Sequence, residues 1–241
     1  MKAEIYLIEI KPLKGTVLKK YLLSIISVLS VSFLNAEIPQ ALEKAFNKME
    51  KDSVFKYAYY RKTINQQESM LESYNPAASE DERWKLISIN DNQPDPRRIE
   101  EYNSNKNNSK HPGRNSRNFA FDRKHMKNFQ IITESDSSIV YGFDLENQKN
   151  KKMAEYLTGE IILHKNSDWI RQIRLYNQAP FSPAFSVKID TFRMAIKYHK
   201  LVETGAVKIK TITTRIKAKA FLVKKINTEV KQEYFNYRLI K

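Results

Sequence analysis

Four histidines are the first residues to weigh for chemistry: His111, His125, His164 and His199. They lie far apart, and none makes the paired spacing of an HExxH-type metal site. Cysteine is absent, which removes disulfides, thiol nucleophiles and zinc-thiolate centres. No G-x-S-x-G elbow, phosphate-binding glycine loop or dinucleotide fingerprint occurs. The acidic pairs Asp81-Glu82 and Glu100-Glu101 fall in polar stretches, where solvated charge explains them better than acid–base work. Asp190 is a carboxylate inside an otherwise sheet-forming run, and a bulge residue facing solvent is the simpler reading. A hydrolase whose site assembles only in space is the enzymatic reading. Against it, the sequence favours binding without catalysis, with no metal and no cofactor.

The residues that could bind something are apolar. Trp84 and Leu86 share one parity of a short strand, Phe192, Met194 and Ile196 share one parity of a longer one, and Ile212, Ile216 and Leu222 follow on the next. These eight are the expected lining of an apolar cavity, with the small Ala218 and Ala220 leaving room beside them. Core packing is the competing role for every one of them.

Two long arms, running from Phe185 to Ile226 and joined at Glu203-Thr204-Gly205, must position this set. They are rich in β-branched and aromatic residues and free of Pro. In the first arm the apolar parity of Phe185, Val187 and Ile189 flips to that of Phe192, Met194, Ile196 and Tyr198. In the second, Val207 and Ile209 give way to Ile212, Ile216 and Ala218. Side chains alternate faces along a strand, so each flip calls for an extra residue, a β-bulge, or a change of buried face. Arms of about 15 residues at roughly 3.3 Å each would reach ~50 Å if flat. A compact domain of this length has a radius of gyration of only about 17 Å, so the strands must coil.

The fold class that follows is mainly β with some α: a long antiparallel meander forming a curved, incompletely closed barrel under short helices. Leu42, Ala45, Phe46 and Met49 make the apolar stripe of a helix opening at Pro39. Strands are expected over Val54–Tyr60, Gln67–Tyr74, the stretch around Trp84–Ile89, Lys127–Thr133, Ser138–Leu145, Gly159–His164, Trp169–Tyr176 and Thr228–Leu239, nine or ten in all with the arms. A polar turn at Asn90-Asp91-Asn92 and a short helix from Asp95 to Tyr102 follow the third strand. Asn103–Asn118 carries no apolar residue and reads as a flexible insert. Ala179–Pro183 is expected to interrupt the sheet.

Lys11, Lys14, Lys19 and Lys20 precede an apolar run from Tyr21 to Phe33, and Leu34-Asn35-Ala36 follows. This is the layout of a secretory signal peptide over residues 1–36, cut after Ala36, with an uncleaved anchor as the alternative. The run is short for a spanning helix, which needs about 20 apolar residues. The mature chain, 37–241, is expected to be one domain in the periplasm. Loss of five Lys and two Glu reduces the net charge from +15 to +12, still strongly basic. Export argues against nucleic acid as the partner and leaves an anionic membrane surface or an acidic envelope protein. The stripe Arg215, Lys217 and Lys219, opposite Ile216, Ala218 and Ala220, is the candidate docking face, or else a solubilising one.

An exported chain with this N-terminal helix, a long meander and a final "FLVKKINTEVKQEYFNYR" strand resembles the LolA-like superfamily of periplasmic lipoprotein carriers. The stretch from Trp84 to Pro94 before a short helix is similar to uncharacterised exported members of that group. The resemblance implies a half-barrel whose concave face holds acyl chains, hence a carrier of a hydrophobic ligand or a lipidated protein. The alternative is a non-catalytic envelope sensor or interaction module acting through its basic outer face.

Overall fold

The computed structural model describes residues 38–53, 56–108, 123–146, 154–167, 169–221 and 224–240. The expected signal peptide lies outside these residues, as do residues 109–118 of the expected insert and the candidate Leu222. Helix α1 (Gln40–Ser53) precedes strands β1 (Tyr57–Ile64), β2 (Ser69–Tyr74) and β3 (Trp84–Ile89). Helix α2 (Pro96–Asn108) leads to β4 (Met126–Glu134), β5 (Ser138–Leu145), β6 (Leu157–His164) and β7 (Trp169–Asn177). The short β8 (Phe181–Ala184) and the long β9 (Val187–Lys200), β10 (Val207–Ala220) and β11 (Lys224–Leu239) complete the sheet.

All eleven strands join one antiparallel sheet in the order β3-β2-β1-β11-β10-β9-β7-β6-β5-β4, with β8 attached beside β9. The end strands β3 and β4 do not pair, so the sheet stays open and is not a closed barrel. Most neighbours are consecutive in sequence, as a meander requires. The exceptions are β7, which pairs with β9 past the short β8, and β1, which pairs with β11. Among the described residues no helix is long and apolar enough to cross a membrane.

Both parity flips in the long arms are bulges. Thr191 faces Lys217 while Ile189 faces Ala218, leaving Asp190 as the extra residue of β9. Tyr198 faces Ile209 while Lys197 faces Thr211, leaving Lys210 as the extra residue of β10. Such bulges bend a strand and sharpen its twist. The Asn177 side chain serves the backbone freed at the first bulge: its Oδ1 accepts from Phe192 N at 2.6 Å and its Nδ2 donates to Asp190 O at 3.3 Å. Gly205 turns the arms with φ +68°, the left-handed region that glycine enters at no steric cost. Asn90 and Asp91 also have positive φ, and Ile89 and Asn92 exchange backbone bonds across them, closing β3 in a two-residue turn.

Three expectations are corrected. The segment from Asn103 is helical through Asn108, because Tyr102 and Lys106 of α2 both reach a carboxylate on β2. Tertiary contact overrides a composition that reads as loop. Phe181–Ala184 pairs with β9 despite Pro180 before it and Pro183 within it, at the margin of the sheet where Pro is tolerated. The first strand runs on to Ile64, since Arg61–Ile64 pair with both β2 and β11; Val54 and Phe55 lie outside the described residues.

Residues directly opposite in antiparallel pairs share a face, so register traces a row across the sheet. One such row is Ile173, Ile196, Ile212, Gln232, Thr63, Met70 and Ile89, from β7 to β3. Both helices cover this face: α1 packs on β7 and β10, and α2 on β3. Leu42, Ala45 and Phe46 of α1 enter a core built from Phe143, Leu157, Ile161, Leu163, Ile170, Ile173, Leu175 and Phe192, nearly all fully buried. Asp52 fixes the end of α1, its Oδ2 accepting from Val207 N at 2.8 Å and its carbonyl from Lys208 Nζ at 2.7 Å.

Candidate functional site

The α2 side of the covered face is built differently. Glu72 of β2 is completely buried, yet it is charged by design of its neighbours. Arg61, its cross-strand partner on β1, donates from Nε to Oε2 at 2.8 Å and from Nη2 to Oε1 at 2.9 Å. Tyr102 OH donates to Oε1 at 2.8 Å, and Lys106 Nζ lies 2.9 Å from the same oxygen. Tyr102 and Lys106 are four apart on α2, one turn of one face. The helix starts where Asp95 Oδ1 caps Arg98 N at 2.9 Å, with Pro96 in the first turn, and this sets the rotation that aims both residues at β2.

Burial would push the Glu72 carboxyl up, but the Arg61 hydrogen bonds and charge, then Lys106, hold it below the ordinary carboxylate range. Burial pushes the Lys106 ammonium down, and Glu72 opposes that. Burial and the adjacent Glu72 charge together push the Tyr102 phenol up, so it stays a donor. Two cations and one anion leave the cluster with a net positive charge beside a hollow.

Trp84 stacks under this charge. The Arg61 guanidinium carbon lies 4.3 Å and Lys106 Nζ 4.4 Å from its ring centre. Tyr74 and Tyr59 pack on it at 4.8 and 6.0 Å, and Tyr59 continues to Tyr237 and Tyr234 at 5.4 and 5.7 Å. Beside this cluster a cleft of about 460 Å³ opens between α2 and the β2–β3 hairpin. Its floor is Met70, Leu86 and Ile89; Glu68, Arg98, Glu101 and Lys106 form its charged margin, where Arg98 bonds Glu68 at 2.8 Å. The size is that of a small-molecule site, and an apolar floor with charges at the edge suits an amphiphile.

Seven of the eight expected lining residues are described, and register puts all seven on the helix-covered face. Their surroundings differ. Phe192 belongs to the buried core, with Met194 and Ile216 packed against that core, and Ile196 is buried as well. Ile212 and Ile216 are half-buried, facing Gln232 and Thr228 of β11. Leu86 lines the cleft and Trp84 carries the two cations. Between the helices, in strand order, this face presents Ile212, Thr214 and Ile216 with Val230 and Gln232, all half-buried.

Arg61, Glu72, Tyr102 and Lys106 escaped the sequence reading. The signal was present: Glu72 shares parity with Met70 and Tyr74, and Arg61 with Tyr57 and Tyr59, so period two places opposite charges on the apolar face. Among the described residues no group of three or more His, Asp or Glu converges as a metal would need. The fold and site thus define an open antiparallel sheet with one face under two helices, one helix seated on apolar residues and the other on a buried ion cluster. Compared with known proteins, the chain matches no family model, no curated protein and no solved structure.

Proposed function

We propose that the protein is an envelope binding protein that shelters an acyl chain, of a lipid or a lipidated protein, on the helix-covered face of its sheet. The signal-peptide layout of residues 1–36 would deliver it to the periplasm, and the resemblance to LolA-like carriers supports the same reading. The observation that carries it is the cleft of about 460 Å³ under α2, floored by Met70, Leu86 and Ile89; the half-buried Ile212 and Ile216 lie on the same covered face of the sheet. Apolar surface buried at ~25 cal/mol per Å² supplies the affinity. The charged margin holds the polar end of the ligand, and no bond is made or broken.

The test is mass spectrometry of organic extracts of the purified protein, paired with titration of a fluorescent fatty acid. Co-purified lipid and saturable probe binding are expected, and Leu86→Asp weakens the probe by about tenfold or more because a carboxylate replaces an apolar floor. A folded protein that carries no lipid and binds no probe, or whose Leu86→Asp variant binds as before, sinks the reading.

A further inference from the structure

The opposite face of the sheet carries a feature that the ligand reading does not use. Lys188 of β9, Lys219 of β10 and Lys225 of β11 stand directly in register across three adjacent strands, all exposed. Like charges directly opposite each other destabilise a sheet. Further along β10, Arg215 is answered by Glu229, with Nη2 to Oε2 at 2.7 Å. The three lysines have no such answer: none pairs with a carboxylate among the described residues. Exposed Lys217, two residues along β10, extends the same charge.

The same end of the sheet holds two aromatics out in solvent. Phe185, in the turn between β8 and β9, is fully exposed, and Phe221, just past β10, is 74% exposed. A hydrogen bond from Phe221 N to Ser186 O at 2.7 Å ties the two turns together. Phe221 also has φ +50°, a left-handed conformation that is strained for a bulky residue. Val202, exposed at the far end of the arms, stands alone and needs no explanation. Two paired phenylalanines beside an unanswered lysine row do.

We infer that this end of the sheet docks on an anionic lipid bilayer, Phe185 and Phe221 entering the interface while Lys188, Lys219 and Lys225 lie against lipid phosphates. Charge complementarity selects the occupant: the row repels itself in solution and is relieved by a surface of negative headgroups. Apolar burial and attraction to anionic headgroups add, so the phenylalanines and the basic row together hold the bilayer better than either alone. The inference goes beyond the ligand reading and does not need it.

The absence of cysteine allows a local test in the full chain. Ser186→Cys, labelled with an environment-sensitive fluorophore, is mixed with vesicles of phosphatidylcholine alone or with added phosphatidylglycerol. Because the probe reads insertion at residue 186, attachment through other segments does not mimic it. The expected result is a blue shift and intensity rise with phosphatidylglycerol and little with phosphatidylcholine. Phe185→Ser with Phe221→Ser weakens insertion by about tenfold or more. Lys188→Gln, Lys219→Gln and Lys225→Gln each weaken it roughly fivefold. Insertion that ignores headgroup charge, or survives loss of both phenylalanines, overturns the inference. Lysine-dependent binding without insertion also overturns it, in favour of a soluble polyanion. Lipid co-purification stays unchanged in these variants, which separates this failure from failure of the ligand reading.

Discussion

The two helices lie on one face of one sheet and are fixed to it by opposite means. Under α1, Leu42, Ala45 and Phe46 vanish into a core where Ile161, Ile170 and Ile173 are almost wholly buried. That contact is non-directional, and it scales with the apolar area removed from water. Under α2, Ile99 remains partly exposed, and the helix is held by Tyr102 and Lys106 on Glu72 and by Arg98 on Glu68. That contact is directional, and each member depends on the others. Apolar seating makes a permanent wall. An ion cluster makes a catch in which the loss of one member weakens the rest.

The comparison breaks most visibly at Glu72. Glu72→Ala leaves the half-buried Arg61 and Lys106 without their anion, and a cost of about 3 kcal/mol is expected in urea unfolding, although only a few apolar atoms are lost. Equal stability of variant and wild type would remove the catch from the account. In the α1 half the sensitive position is steric. A Cβ at Gly159 would meet the ring of Phe143, its cross-strand partner, which is itself buried. Gly159→Ala is therefore expected to cost about 1–3 kcal/mol by overpacking, with no dependence on pH.

Acid provides the smallest and most specific difference. The folded Glu72 carboxyl titrates below its unfolded value, so its contribution is fully present above the ordinary carboxylate pKa of roughly 4.3 and is lost as pH falls through the folded value. The stability gap between wild type and Glu72→Gln should narrow as pH is lowered from about 7 to about 3. A gap that stays constant would mean that the carboxylate is not the charged partner of Arg61 and Lys106.

Much of this was written in the strands. The displaced parity of Ile189 and Phe192 located the bulge at Asp190, and that of Ile209 and Ile212 located the one at Lys210. The stripe of Leu42, Ala45 and Phe46 located the seat of α1. What stayed hidden were the features that need two distant segments at once. Asn103–Asn108 has no helical signature of its own, and it is ordered by a carboxylate thirty-odd positions earlier in the chain. The pairing of β1 with β11 has no local mark either, since both strands read as ordinary alternation. Charge inside a sheet is overlooked when only apolar periodicity is counted, as Arg61 and Glu72 show.

The pairing of β1 with β11 also dictates an order of assembly. As the polypeptide emerges from its amino end, β4 to β10 can zip together hairpin by hairpin, whereas β1 waits for a neighbour nearly the whole domain away. Until that strand arrives, the three-stranded flap made by β1, β2 and β3 has a raw margin open to unwanted partners. The joining of β1 to β11 is thus a slow, non-local event.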